Sequence, residues 1–323
     1  MFNITKASIP NQTLQDMVTQ HFGSCCLIHF AEELKEGFFN TAYFIETTGG
    51  EKWVIKIAPP DNVPVLRYEK NILNAEVESI SLVKTRTCIP VPNILAYDRS
   101  RKILDRDYFV MSYIPGIPFH KLRADLTLEQ QREVERSIGC LTREMNGIRG
   151  SVFGPYAQDE LQFPTWKSTF DHLFKSVLAD GQEIGVQLPE TYPQIYNLAA
   201  RHYDVLDRVK IPCLVHWDLW DGNVFVDPVS LRINGVIDFE RVMWADPLVE
   251  AWWVFKNEQS SYVDGYGLDL LATDEQKLRR SLYNVYLYLI MIIECYFRKY
   301  ENQNQENWAR ARLLQEIQQL TIR

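Results

Sequence analysis

The sequence has no apolar run long enough to cross a membrane and no evident export signal. Its longest apolar segment, Val285 to Cys295, contains Glu294 and is too short to span a bilayer. The first ten residues lack a basic stretch followed by an apolar run, so a signal peptide is not expected. We therefore expect a cytoplasmic protein with no membrane partner.

Cysteine is scarce, and its spacing suggests neither a metal site nor a disulfide framework. The 6 cysteines lie mostly next to apolar residues, which is typical of reduced core thiols in a cytosolic protein. Five of the 6 histidines also show no metal-ligand or nucleophile pattern. We expect each of these five to be structural or exposed: His21, His29, His120, His172 and His202.

Basic residues are not in excess. With 34 Lys and Arg against 42 Asp and Glu, the formal net charge is −8. Nucleic-acid-binding proteins usually show a basic face, so nucleic acid is not an expected partner. The charge is compatible with a cationic small-molecule substrate, although many enzymes are acidic for solubility alone. The 323 residues can form one large domain or two lobes, and the sequence leaves open whether the protein is a monomer or a homodimer.

Two common nucleotide-binding signatures are missing. The sequence contains neither Gly-x-x-x-x-Gly-Lys-Ser/Thr nor Gly-x-Gly-x-x-Gly. A P-loop site and a Rossmann site are therefore not expected.

A polar stretch lies between two short apolar runs, Cys213-Leu214-Val215 and Val224-Phe225-Val226. Such runs predict buried strands. The stretch contains Asp218 and Asn223, and Asp238 follows a third apolar run. Turn chemistry could explain an Asp or Asn in the loop. It does not explain carboxylates at the edges of buried strands, where an unpaired charge is unfavourable.

Phosphoryl transfer needs this set of side chains. One carboxylate accepts the proton of the attacking hydroxyl, while an amide oxygen and a second carboxylate hold the magnesium ion (Mg2+) that bridges the nucleotide phosphates. His-x-Asp-x-x-x-x-Asn followed by an Asp is the spacing of a kinase catalytic loop and its metal-binding residue. The spacing predicts Asp218 as catalytic base, Asn223 and Asp238 as magnesium ligands, and ATP or GTP as phosphate donor.

The chain resembles the aminoglycoside phosphotransferase family, which is related to choline kinase and has a protein-kinase-like fold. The resemblance rests on His216-x-Asp218-x-x-x-x-Asn223, Ile237-Asp238-Phe239-Glu240 and Asp246-Pro247. It implies a bilobal α+β fold. Residues 1–113 would form a small N-terminal lobe with an antiparallel sheet and one long helix, and residues 114–323 a larger, mostly helical C-terminal lobe. The family usually has Gly where Trp217 stands, so the loop could differ in shape there.

The N-terminal part has the pattern of an antiparallel meander, and the rest is mainly helical in pattern. Predicted strands are Leu27 to Phe30, Ala42 to Glu46, Trp53 to Ala58, Ile94 to Tyr97 and Tyr108 to Tyr113. Predicted helices are Thr13 to Phe22, Val65 to Val83, Thr127 to about Met145, Phe163 to Ala179, Tyr192 to Val209, one starting at Asp246, one starting at Thr273, and Trp308 to Leu320.

The resemblance implies further nucleotide-binding residues in the N-terminal lobe. Lys56, on the third strand, would contact the nucleotide phosphates and be oriented by an acid on the next helix. Glu76 is our choice for that acid, and Glu69 and Glu78 are expected to be surface charges. Asn40 lies in the turn that would cover the phosphates, although a plain turn asparagine is an alternative there.

Backbone groups near Ser112 and Tyr113 would bind the adenine at the hinge between lobes, according to the same resemblance. An edge strand running into a turn would show the same residues. His216 is expected to brace the catalytic loop, Asp246 to support it, and Glu240 is left unassigned.

The acceptor is expected to be a small molecule with a hydroxyl group, bound between the catalytic loop and the helices after Asp246. Trp220 and Asp221 could touch it. An aminoglycoside or related antibiotic is the leading candidate. The alternatives are a metabolic kinase acting on choline, a thio-sugar or a fructosamine-like compound, and a non-catalytic nucleotide-binding scaffold. Further candidate contacts mix acids and aromatics: Glu250, Trp252, Trp253, Glu258 and Asp264.

Overall fold

The computed structural model describes residues 5–37, 39–250 and 261–322. Its N-terminal part contains a five-stranded antiparallel sheet with the order β1-β2-β3-β5-β4. The predicted strands are confirmed, with small shifts at their ends. They are β1 (Ile28–Glu33), β2 (Thr41–Thr47), β3 (Lys52–Ile57), β4 (Ile94–Asp98) and β5 (Tyr108–Ser112).

The two faces of this sheet carry different partners. Helix α1 (Asn11–Phe22) packs on one face, where it joins a cluster that includes Ile45 and Ile55. Residues alternate between faces along a strand, so Val54 and Lys56 point to the opposite side, toward helix α2 (Ile72–Arg86). Lys56 is therefore directed into the space between the sheet and the rest of the chain.

Helix α2 begins later than its apolar pattern predicted. The periodicity starts at Val65, but residues Arg67–Glu69 form a 3-10 turn and Asn71 adopts a left-handed conformation with φ of 57°. This segment is fixed from outside, because the side-chain amide of Gln158 donates to the carbonyl oxygens of residues 68 and 70. Tertiary contacts therefore override the local preference for helix.

Glu69 lies in this turn and is not the surface charge that the sequence suggested. Its side chain is buried, accepts the backbone N–H of Leu66 at 2.9 Å and pairs with the buried Arg298. Glu78 is exposed, as expected.

The C-terminal part is mainly helical, which confirms the predicted α+β class. Its helices are α3 (Phe119–Leu122), α4 (Leu128–Asn146), α5 (Trp166–Glu183), α6 (Tyr192–Ala200), α7 (Ser261–Tyr266), α8 (Asp274–Arg298) and α9 (Asn304–Thr321). Tyr192 to Val209 is not one helix, because α6 stops at Ala200 and a 3-10 turn, Tyr203–Arg208, follows. A 3-10 turn, Pro247–Val249, stands where a helix was predicted after Asp246.

Two small sheets of three strands support the catalytic stretch. One has the order β10-β9-β6 and the other β7-β11-β8. Their strands are β6 (Ile117–Pro118), β7 (Gly154–Pro155), β8 (Cys213–Val215), β9 (Val224–Val226), β10 (Ile233–Val236) and β11 (Met243–Ala245).

Solvent exposure of the cysteines differs from the expectation. All six thiols are free, but Cys25, Cys88 and Cys140 are exposed, and the buried ones are Cys213 and Cys295. The expectation of core thiols is therefore wrong for half of them. Within the described ranges, no helix combines the length and the apolar character that crossing a bilayer requires.

Candidate active site

Strands β8, β9 and β10 bring the predicted catalytic residues into one region. The loop after β8 carries Asp218, a 3-10 turn ends at Asn223, and Asp238 follows β10. The backbone N–H of Ile237 donates to the carbonyl of Asn223 at 3.0 Å. Asn223 and Asp238 therefore lie side by side, although they come from different strands.

Asn223 is held so that its side-chain oxygen stays available. Its buried side chain donates from Nδ2 to the backbone carbonyl of Asp218 at 2.8 Å. Because this bond uses the amide nitrogen, the acceptor oxygen Oδ1 remains available to bind a cation.

Lys56 joins the two parts of the molecule. Its ammonium lies 2.8 Å from both carboxylate oxygens of Glu76 and 2.6 Å from Oδ1 of Asp238. Burial alone would lower the pKa of Lys56, but the neighbouring carboxylates of Asp238, Glu76 and Glu240 raise it above its ordinary value. Lys56 is therefore a permanent cation, and the predicted partner Glu76 is the acid that it contacts on α2.

Glu240, which the sequence left unassigned, completes a cluster of acids. Carboxylate oxygens of Glu76, Asp238 and Glu240 lie within 4.8 Å of one another. Burial and the nearby Asp238 raise the pKa of Glu240 well above its usual range. Repulsion among the three acids favours a proton on Glu240, and a divalent cation bound to their oxygens would favour the ionised form instead.

Asn40 contacts this cluster directly. Its Nδ2 donates to Oε2 of Glu240 at 2.7 Å, and the residue is buried. Its Oδ1 is buried without a hydrogen-bond partner. The turn that the sequence placed over the phosphates thus reaches the C-terminal part of the chain at Glu240.

Burial shifts the pKa values of Asp218 and His216 in opposite directions. Burial raises the pKa of Asp218 to about 6, and Arg241 opposes that shift. Burial lowers the pKa of His216 to about 4, so its imidazole is neutral. One ring nitrogen of His216 lies 3.0 Å from the carbonyl of Ile237, and the other accepts the backbone N–H of Asp218 at 3.3 Å. A neutral imidazole satisfies both contacts, which fits a bracing role.

The loop is supported from below by Glu250, a role that the sequence did not reveal. Glu250 is fully buried. Its Oε2 accepts the N–H of Trp217 and its Oε1 accepts the N–H of Leu219, both at 3.1 Å. We expected Glu250 to touch the acceptor, and that expectation is wrong because its carboxylate is occupied by the loop backbone. An acid four residues after Asp246 at the end of an apolar turn was the only signal in the sequence.

Asp246 holds the turn that precedes Glu250. Its Oδ1 accepts the N–H of Leu248 at 3.2 Å, while its Oδ2 meets Arg279 and the hydroxyl of Tyr283, both at 2.8 Å. These contacts fix the turn that presents Glu250 to the loop.

Comparison with known proteins gives the family. A model of the phosphotransferase enzyme family matches residues 31–280. The chain belongs to this family. It is a phosphotransferase with an alcohol group as acceptor, that is, a small-molecule kinase. No curated protein sequence gives a significant match.

Solved structures share the fold over nearly the whole chain. A protein described as a fructosamine-3-kinase from Thermobifida fusca YX-ER1 has a TM-score of 0.69 at 18% identity, covering 98% of this chain and 100% of that chain. The aminoglycoside phosphotransferase APH(4)-Ia with AMP-PNP and hygromycin B has 0.66 at 16% identity, covering 95% and 98%. The gentamicin complex of APH(2")-IIa has 0.66 at 16% identity, covering 97% and 99%. At these identities the likeness establishes the bilobal, kinase-like α+β fold.

Trp217, where the resemblance led us to expect glycine, has a backbone conformation that suits glycine. Its φ is 66°, in the left-handed region that non-glycine residues rarely adopt. Its buried ring stacks on Tyr286 with centroids 5.6 Å apart and meets the edge of Tyr68 at 5.5 Å. Aromatic packing therefore offsets the backbone strain at this position.

The segment predicted to bind adenine has already used part of its hydrogen-bonding capacity. The N–H of Ser112 donates to the carbonyl of Asn93 at 2.9 Å, and that of Tyr113 donates to the carbonyl of Lys52 at 3.0 Å. A nucleotide base bound at this hinge would hydrogen-bond to other backbone groups of the segment. The half-buried rings of Phe44 and Tyr113 meet at 5.2 Å beside it.

The predicted acceptor contacts comprise exposed side chains, one carboxylate that is already paired, and residues that the structure does not describe. Trp220 is exposed and contacts the ring of His120, whereas the carboxylate of Asp221 is paired with Arg123 at 2.6 Å. Asp264 is exposed on α7. Trp252, Trp253 and Glu258 lie outside the described residues.

Proposed function

We propose that this phosphotransferase transfers the γ-phosphate of ATP or GTP, in the presence of Mg2+, to a hydroxyl group of a small molecule. The observation that carries the proposal is the convergence at Lys56. Its ammonium bridges Glu76 of α2 and Asp238 of the catalytic segment. A fixed cation between two lobes, beside a surplus of carboxylates, suits the phosphates of a metal-bound nucleotide.

The donor set fits a divalent cation. Asp238 and the free Oδ1 of Asn223 would hold the metal, and Glu240 is close enough to contribute a further oxygen. When bound, the metal would neutralise charge on the nucleotide phosphates. Lys56 would then exchange part of its contact with Asp238 for a phosphate oxygen, while Glu76 keeps the ammonium aligned.

Asp218 is the proposed base. Its carboxylate sits on a loop held by Glu250 and His216, and its pKa of about 6 leaves it ionised at neutral pH. A base with a pKa just below the working pH is well suited to accept a hydroxyl proton. Asp218 would also orient that hydroxyl toward the γ-phosphate.

The proposed acceptor is based on the solved structures that share this fold. Several solved relatives of the fold are described as complexes with aminoglycosides, and one as a fructosamine-3-kinase. An aminoglycoside was the leading candidate from the sequence, and a sugar-derived metabolite is the second. The intact set of Lys56, Asp218, Asn223 and Asp238 argues against a non-catalytic scaffold.

The test is an ADP-release screen. Wild-type protein with Mg2+ and either ATP or GTP would be offered gentamicin, hygromycin B, choline, fructosamine and a series of neutral sugars. Turnover with any one acceptor that disappears in Asp218→Asn supports the proposal. Tight nucleotide binding without turnover on any acceptor would favour the scaffold.

A further inference from the structure

An exposed aromatic surface lies beside the proposed base. Trp220 has 40% of its surface exposed, although it is one of the largest apolar side chains on the loop. Its ring contacts the imidazole of His120 in a tilted arrangement, with centroids 5.1 Å apart and an interplanar angle of 35°. We refer to these two rings as the Trp220–His120 platform.

The platform belongs to the same turn as Asp218. The backbone N–H of Trp220 donates to the carbonyl of Asp218 at 3.0 Å, so the two residues belong to one tight turn. Leu219 between them is fully buried. A ring compound in contact with Trp220 would therefore lie within one short turn of Asp218.

The platform also lies near the turn between β1 and β2. His120 belongs to α3, which follows β6, and its neighbour Lys121 pairs with Glu36 at 2.5 Å. Glu36 lies in the turn between β1 and β2, the turn that continues to Asn40. The helix that carries His120 is therefore in contact with that turn.

The indole is held in a fixed orientation. It lies over the backbone of its own loop so closely that a Cβ at Gly222 would collide with the ring. The imidazole of His120 contacts the same ring. A preformed aromatic surface binds a partner without first losing side-chain freedom.

The charges around the platform are already paired with one another. Asp221, the acid next to Trp220, contacts Arg123 at 2.6 Å, and the same guanidinium contacts Glu135 at 2.9 Å. A polycation such as an aminoglycoside would need carboxylates that are free to meet its ammonium groups. Neither Asp221 nor Glu135 meets that need.

We propose that the Trp220–His120 platform binds the C–H face of an uncharged sugar or polyol ring and thereby presents one of its hydroxyl groups to Asp218. This inference rests on the proposed function and narrows its acceptor class. Aromatic side chains supply large, rigid apolar contact area, which suits a ring whose hydroxyls point outward and whose C–H groups line one face. Trp220 is then a specificity-determining residue of the phosphotransferase.

The test compares acceptor binding and turnover in Trp220→Ala, Trp220→Phe and His120→Ala. Calorimetry with ADP and Mg2+ present would measure binding of neutral hexoses, inositol and sugar-linked amines, with gentamicin as the polycation. We expect Trp220→Ala to weaken binding of the neutral ring, and raise its KM, about tenfold, with nucleotide affinity unchanged. Trp220→Phe should retain most of the affinity. Tyr296→Ala, which removes another exposed aromatic ring, from α8, is the matched control.

The outcomes separate the two proposals. If no neutral ring compound binds the wild type, or if Trp220→Ala binds all of them as the wild type does, the platform proposal is overturned. If gentamicin binds best and loses affinity in Trp220→Ala, the ring recognises a cation and the uncharged acceptor class is wrong. If a neutral ring binds through Trp220 but is never phosphorylated, the platform stands and the proposed kinase function fails.

Discussion

Replacing Glu250 by glutamine would test whether this buried carboxylate fixes the catalytic loop. Its two oxygens accept the N–H groups of Trp217 and Leu219, both at 3.1 Å. Glutamine has nearly the same shape but only one acceptor oxygen, so its NH2 group would face one of these donors. One backbone N–H of the loop would then be buried without an acceptor.

The expected magnitude follows from that single lost bond. A hydrogen bond to a charged group contributes about 1.5–3 kcal/mol, and a buried donor without a partner costs about 1–3 kcal/mol. We expect Glu250→Gln to lower the free energy of unfolding by about 2–4 kcal/mol. Because the loop carries Asp218, a backbone displacement of about 1 Å would lower kcat by about 100-fold. The KM for nucleotide should change less, since Lys56 and Glu76 are not touched.

The assay combines steady-state kinetics with denaturant unfolding. Asp98→Asn is the matched control, because Asp98 is also a buried carboxylate and accepts the N–H of Ser100 at 2.7 Å, but on the N-terminal sheet. The control should lose stability while retaining kcat. The reasoning is refuted if Glu250→Gln keeps wild-type kcat and stability, or if Asp98→Asn loses as much kcat.

Four further predictions concern the site. Asp218→Asn should lower kcat by about 100-fold or more while nucleotide binding, measured by calorimetry, is retained. Because burial raises the pKa of Asp218 to about 6, the wild-type kcat should fall as the pH drops below that value and level off above it; a flat pH profile across this range would contradict the assignment. Asp238→Ala should abolish Mg2+-dependent nucleotide binding, and equal affinity with and without EDTA in the wild type would exclude a metal role. Trp217→Gly should relieve the left-handed strain, about 1 kcal/mol, but lose ring packing on Tyr286 worth about 3–5 kcal/mol; an unchanged denaturation midpoint would show that this packing contributes nothing.

The predictable part of the fold follows local patterns. Short runs of strand-type residues bounded by turn residues located all five strands of the N-terminal sheet. Capping boxes at Thr127 and Thr273 located the starts of α4 and α8. The spacing of Asp218, Asn223 and Asp238 identified a site because all three come from one continuous stretch. The lobe boundary at residues 113 and 114 stays a prediction.

The errors arise where distant segments meet. The start of α2 is set by Gln158, and the burial of Glu69 by Arg298, neither of which is near it in sequence. A pattern based on neighbouring residues has no information about these contacts. The same limit explains why Glu250 was mistaken for an acceptor contact.

The sequence by itself determined the kind of chemistry, because phosphoryl transfer requires particular side chains at a spacing that a single loop and strand pair can supply. The tertiary structure alone decided which charges meet. It placed Glu240 against Asn40, which is 200 residues away, and brought Lys56 between Glu76 and Asp238. Ion pairs and buried hydrogen bonds depend on distance in space, and only the folded chain sets that distance.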